Sequence, residues 1–131
     1  MKIRFLLDEN LSKQIKIAVL RLNSAVDILC VGDPDAPPYG TPDPDILRYL
    51  ALAQRLLITD NRKSMPGHLE SHWAEGGHIW GLFWVRPQTP IGQLVQELLL
   101  IWEAAEAEEW IDRIEESECW KQRLPDLAPT A

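Results

Sequence analysis

Apolar runs and amphipathic stretches alternate along this chain. Residues 3–7 form a short run around Phe5, Leu6 and Leu7 with no consistent polar side, the pattern of a strand covered on both faces of a parallel sheet. Residues 26–31, 55–59 and 78–85 repeat it. Between the runs the spacing changes. Leu11, Ile15, Ala18 and Leu22 recur at helical intervals, with Lys13, Lys16 and Arg21 on other faces. Ile46, Leu47, Leu50 and Ala53 give a second helix its apolar side. Residues 66–73 read as a shorter helix begun by Pro66 and stopped by Gly76-Gly77. After the fourth run, Ile91, Leu94, Val95, Leu98, Trp102 and Ala105 make a clear stripe, and the spacing predicts one long helix over 90–118, through Ile111 and Ile114.

Residues 32–44 are rich in Gly, Pro and Asp and read as a long loop. Asn10, either Thr41 or Asp43, and Thr89 stand where helix caps are expected, the last three each followed by proline. The order β-α-β-α-β-α-β-α predicts an α/β protein with a mostly parallel sheet of about four strands, helices on both faces and right-handed crossovers. The 131 residues suffice for one domain, expected over 1–124, with a frayed tail at 125–131.

Parallel strands bring the residues just past their ends to one edge of the sheet. Asp8 follows the first strand and Asp60 the third, while Asp43 opens a helix that starts from the same edge. Carboxylates gathered this way repel one another unless a cation or a proton intervenes. A hard divalent ion, Mg²⁺ or Mn²⁺, takes oxygen ligands and activates water against phosphate esters. Arg62 and Lys63 adjoin Asp60 and suit a phosphate backbone. The plainer reading is that each acid is a polar strand end or helix cap.

Composition supports a folded chain, with 46% hydrophobic and 25% charged residues. The net charge of −7 is concentrated in one place: nine acids and one base lie between Glu97 and Glu118, and the remainder is close to neutral. The acidity therefore says little about the rim that carries Asp8. No apolar stretch reaches membrane-spanning length, no leader is expected ahead of the first strand, and two cysteines, Cys30 and Cys119, suit a reducing cytoplasm better than a disulfide framework.

Residues 5–12 (Phe5 through Asp8, Glu9, Asn10 and Ser12), Asp43 with Ile46-Leu47, and Leu57 through Thr59-Asp60-Asn61-Arg62 resemble the small PIN-like domain proteins, relatives of PIN ribonucleases that act as toxins in toxin–antitoxin pairs. The resemblance implies a Rossmann-like three-layer α/β/α fold and an acidic Mg²⁺ or Mn²⁺ site that cleaves RNA. It implies metal-holding, catalytic roles for Asp8, Asp43 and Asp60. Asn10 and Asn61 would orient ligands, and Arg62 and Lys63 would meet the nucleic acid. It also brings an antitoxin-like partner into view, and the long acidic helix reads either as core-docked with a solvated acidic face or as a surface for homodimerisation or antitoxin docking. Lys63 and Ser64 depart from the pattern, because relatives often carry an acid and an aromatic there. The alternative is an interaction module of weak or no activity, working through its acidic helix.

Other features are plainer. His68 and His72 share a helix face, but Leu69 stands where a zinc-protease motif needs glutamate, and with His78 they read as surface histidines. Cys30 is expected in the core, and Cys119 has no base partner. Trp80, Trp84 and Trp102 fit packing positions, whereas Trp73, Trp110 and Trp120 are expected to be part-exposed, the last two at an interface. A phosphoacceptor receiver is disfavoured, because the fourth strand ends in Val85-Arg86-Pro87 and no fifth strand with a lysine is evident.

Overall fold

The computed structural model describes residues 1–117. The tail 125–131, Cys119 and Trp120 lie outside the described residues. The elements are β1 (Arg4–Leu7), α1 (Gln14–Leu22), β2 (Asp27–Cys30), α2 (Asp43–Ala53), β3 (Leu56–Thr59), α3 (Met65–Ala74), β4 (Leu82–Trp84), α4 (Ile91–Ala104), a 3₁₀ turn (Ala107–Trp110) and β5 (Ile114–Glu116). The five strands form one parallel sheet in the order β2-β1-β3-β4-β5. Helices cover both faces, giving a Rossmann-like three-layer α/β/α fold.

The two-residue period of the strands builds the two cores. Phe5, Leu7, Ile58 and Phe83 point to the side covered by α1 and α4, through Ile15, Val19, Leu94, Leu98 and Ile101. Leu6, Leu57 and Leu82 point to the side covered by α2 and α3, through Ile46, Leu47, Leu50 and Leu69. Cys30 is buried, as expected. Arg55, at the lower end of β3, is also buried. Its guanidinium donates to the Phe5 carbonyl at 3.0 Å and pairs with Asp27 at 2.8 Å, joining β3, β1 and β2.

Several local expectations are corrected. Lys13 is at the N-cap position of α1, where Ser12 Oγ accepts from Gln14 N–H, so Asn10 is not a cap. Pro42 and Pro90 occupy the N-cap positions of α2 and α4. The Thr41 and Thr89 hydroxyls instead donate back to the carbonyls of Pro38 and Arg86, closing turns. In α1 the buried positions are Ile15 and Val19, while Leu22 is exposed. The fourth strand shrinks to three residues because Gly81 has φ +109° and breaks the extended run.

The largest correction concerns the C-terminal segment. The helix expected over 90–118 ends at Ala104, and the chain turns back to add a fifth strand. Three contacts favour this over a longer helix. Residues 106 and 107 meet the N-terminal stretch, through an antiparallel bridge Lys2–Glu106 and a bond from Ala107 N–H to the Met1 carbonyl at 2.8 Å. Trp110, expected part-exposed at an interface, is fully buried against Gly81, where a Cβ would lie 3.0 Å from Trp110 Cβ. Asp112, with φ +56°, accepts from Ile79 N–H and from Trp73 Nε1, each at 2.9 Å, and its own N–H donates to the Ile79 carbonyl. Continued helix would have carried Trp110 and Asp112 away from all of these.

Crossover hand also departs from expectation. The steps β3 to β4 and β4 to β5 run across the sheet in the same direction, yet α3 and α4 cover opposite faces. The β4–α4–β5 crossover therefore has the opposite hand to the other three. With α4 on the α1 side, each face receives two helices, and the nine-residue α1 is spared covering a five-stranded sheet alone.

Candidate functional site

β1 and β3 are neighbours whose onward connections leave in opposite directions, to β2 and to β4. The crevice beyond their C-terminal ends is the topological switch point, where ligands bind in open parallel sheets. Asp8 and Asp60 flank it. Asp8 N–H donates to the Ile58 carbonyl at 3.0 Å, which carries the β1–β3 ladder one step further and fixes the backbone beneath the carboxylate.

The Asp8 side chain is held from two sides. Thr59, fully buried, donates its hydroxyl to Asp8 Oδ2 at 2.7 Å, and Glu9 N–H donates to Oδ1 at 2.8 Å. Thr59 Oγ1 in turn accepts from Asn61 N–H at 3.1 Å. Asn61 Nδ2 donates to Asp43 Oδ2 at 3.3 Å and to Ser64 Oγ at 2.9 Å, and Ser64 Oγ donates to Asp43 Oδ2 at 2.8 Å. One chain of bonds thus runs from Asp8 through Thr59, Asn61 and Ser64 to Asp43, linking β1, β3, the start of α3 and the start of α2. Networks of this kind fix rotamers more firmly than isolated pairs.

Burial pushes the Asp8 carboxyl pKa up, and the charges of Asp43 and Asp60 push it further in the same direction. The bonds from Thr59 and Glu9 oppose the rise without cancelling it. Asp8 is therefore the central carboxylate of an acidic rim whose neighbours resist its ionisation. Among the described residues, no three side chains of His, Cys, Asp or Glu gather closely enough to ligate one ion directly. Such a rim fits Mg²⁺ or Mn²⁺, ions that keep several waters and need only one or two carboxylates in direct contact. Each held oxygen of Asp8 also retains a second lone pair for a metal or its water.

The remaining candidates divide. Asn61 belongs to the network. Asn10 is exposed and lines, with Asp60 and Arg62, a cleft of about 300 Å³ beside the rim. Arg62 pairs with Glu116 of β5 and lies over the Trp84 ring, 5.4 Å from its centroid. Lys63 is exposed. Thr59 and Ser64 are the residues that sequence reasoning underrated. Ser64 follows Lys63, the position where a further acid was expected, and its hydroxyl holds Asp43. The spacing of Asn61 and Ser64 was its only signal, a turn in which Asn61 Oδ1 accepts from Ser64 N–H at 3.4 Å.

Two other sets of residues fall away. A larger groove, about 710 Å³, runs beside Leu22, Leu99, Leu100 and Glu103, on helix surfaces rather than at strand ends, and gathers no reactive set. His72 bonds to the His78 carbonyl and His78 pairs with Asp112 at 2.6 Å, so these histidines serve the turns before β4 and β5. Comparison with protein-family models, with curated proteins and with solved structures finds no match to this chain.

Proposed function

We propose that this protein is a PIN-like, metal-dependent endoribonuclease whose acidic rim hydrolyses RNA phosphodiesters. The observation that carries the reading is Asp8: a half-buried carboxylate at the switch point, held by a buried threonine and crowded by two further carboxylates. Such an arrangement disfavours its own charge and is relieved by a cation. Asp8 and Asp60 are the residues to hold Mg²⁺ or Mn²⁺, directly or through water, and Asp43 adds charge from a position set by Asn61 and Ser64. When bound, that ion supplies an acidified water and stabilises negative charge on the phosphoryl oxygens. Thr59 keeps Asp8 in one rotamer, and Asn61 ties the two ends of the network. Arg62 and Lys63 draw the RNA backbone to the rim.

This reading carries the toxin–antitoxin setting with it: a cytoplasmic enzyme acting on RNA, restrained by an antitoxin-like protein, in a homodimeric form. No helix among the described residues is long and apolar enough to cross a membrane, which is compatible with that setting. An interaction module without catalysis has less to recommend it. It leaves the Asp8–Asp43 network without a task, and the helix it would work through ends at Ala104 rather than running over 90–118.

Cleavage of single-stranded RNA with Mn²⁺ tests the proposal. The wild type should cut, EDTA should abolish cutting, and Asp8→Asn and Asp60→Asn should each lower the rate by about a hundredfold or more, the scale of a lost electrostatic contact to the transition state. Cleavage indifferent to both substitutions would refute it, as would none by the wild type across several RNAs.

A further inference from the structure

We infer that the cleft beside Asp60 is a subsite for one unpaired nucleotide of the RNA. This rests on reading the rim as a nuclease centre and adds the substrate position next to it. The cleft holds about 300 Å³ and lies between the turn after β1 and the turn after β4, on the α1 and α4 side of the sheet. Its lining combines aliphatic walls with a few polar and charged groups, the general make-up of a small-ligand site.

The walls are aliphatic. Ile15, Val85 and Leu94 are buried core residues whose surfaces reach the cleft, and Ile91, at the start of α4, is 41% exposed at its edge. An exposed isoleucine beside a polar rim offers a face for a flat base. Asn10 and Gln88 also line the cleft and carry both a donor and an acceptor, as reading a base edge requires. Gln88 has φ +64°, a left-handed conformation that a glutamine adopts at a cost, inside a turn closed by Thr89 N–H on the Arg86 carbonyl at 3.2 Å.

Charge supplies the third element. Arg62 and Arg86 converge on the same carboxylate, Glu116, with Arg86 Nε at 3.7 Å from Oε1. Both arginines line the cleft, and a pair of planar guanidinium groups matches a phosphate group by geometry. Asp60 lines it too, so a nucleotide seated here has its neighbouring phosphate on the acidic rim. A base can enter only when it is unpaired, which makes single strands and loops the substrate class.

The test is binding without catalysis. Wild-type protein in EDTA is titrated with adenosine and uridine 5′-monophosphates and followed by backbone amide shifts. The expected result is saturable shifts at Leu11, Val85, Gln88 and Ile91. Arg86→Gln and Ile91→Asp should each weaken binding about tenfold, the scale of one lost charged or apolar contact. Gln88→Gly, which removes the amide and the backbone strain together, should weaken binding while the protein melts no lower. Shifts confined to residues outside the cleft would overturn the inference. So would inorganic phosphate binding as tightly as the nucleotides, since that makes the cleft an anion site only. The wild-type map keeps the test decisive if a variant fails to fold. Mn²⁺-dependent cleavage without nucleotide binding here sinks the subsite alone, and binding here without cleavage sinks the nuclease reading alone.

Discussion

Asp8 carries opposite consequences for stability and for function. Burial and the charges of Asp43 and Asp60 raise its folded pKa above the ordinary aspartate value. The folded state therefore holds the Asp8 proton more tightly than the unfolded chain does. This favours the fold at pH below the unfolded value, and the advantage is lost as pH rises through the raised folded value. At neutral pH the ionised carboxylate costs stability. Asp8→Asn, which can turn its oxygen to the Glu9 N–H and donate its amide to Thr59 Oγ1, should melt a few degrees higher at pH 7 (about 2–8 °C per kcal/mol across domains of 60–250 residues). Millimolar Mg²⁺ or Mn²⁺ should raise the melting temperature of the wild type and leave Asp8→Asn unmoved, because only the folded rim binds the ion. In metal-free protein, Asp60→Asn and Asp43→Asn should each lower the Asp8 pKa read by carboxyl ¹³C NMR. A value indifferent to both substitutions would show that the three acids do not share a field.

At the scale of elements, the acidic C-terminal segment is where periodicity and packing disagree. Its helical spacing is genuine, and local preference alone extends α4. The segment leaves the helix because Trp110 and Asp112 find partners at Gly81 and Ile79, just before β4, and at Trp73 of α3. Glu97 is buried in α4, where its carboxylate accepts from Ser117 Oγ at 2.8 and 3.0 Å, and Glu115 is buried beside Arg113 at 3.1 Å. Two acids of this strongly acidic segment are therefore interior groups with partners. Asp112 is the clamp. Burial opposes its ionisation, but the bonds from Ile79 N–H, Trp73 and His78 outweigh burial and hold its pKa below the usual range. Its contribution to stability is present above the ordinary aspartate pKa and lost as pH falls through the lowered value. Asp112→Ala strands the Ile79 N–H and the Trp73 indole, and should cost about 2–3 kcal/mol in urea unfolding at pH 7. A loss below half a kcal/mol would mean that Trp110 and the β4–β5 ladder hold the strand unaided.

For the whole molecule, topology decides where chemistry can occur. Three parallel crossovers of one hand and a fourth of the other leave β1 and β3 central, with two helices on each face and a single switch point between them. Central strands should open only with global unfolding, whereas the edges open first. Native-state hydrogen exchange should therefore find Leu6, Leu57 and Ile58 amides slowest and those of β5 much faster. Equal protection across the sheet would contradict this layering.

Much of that plan was legible in residues 1–60. Runs such as 3–7 and 55–59 are covered on both faces, so they read as parallel strands, and a parallel sheet sends every strand end to one edge. That alone put Asp8, Asp43 and Asp60 on a common rim. What the spacing left open was which hydrogen bonds join them. Thr59 and Ser64 became part of the rim only because α2 and α3 start beside it, an outcome of how the α2–α3 layer packs on the sheet. The fate of residues 105–117 was still further from reach. Helical periodicity is a short-range signal, whereas Trp110 answers to Gly81, residue 106 to Lys2, and Asp112 to Trp73 and Ile79. By itself, then, the sequence determined the alternating elements and the acidic edge, because both follow from local pattern and chain direction. Tertiary structure alone decided the fifth strand, the hand of the last crossover and the network around Asp8, because each depends on contacts between segments that sequence spacing does not relate.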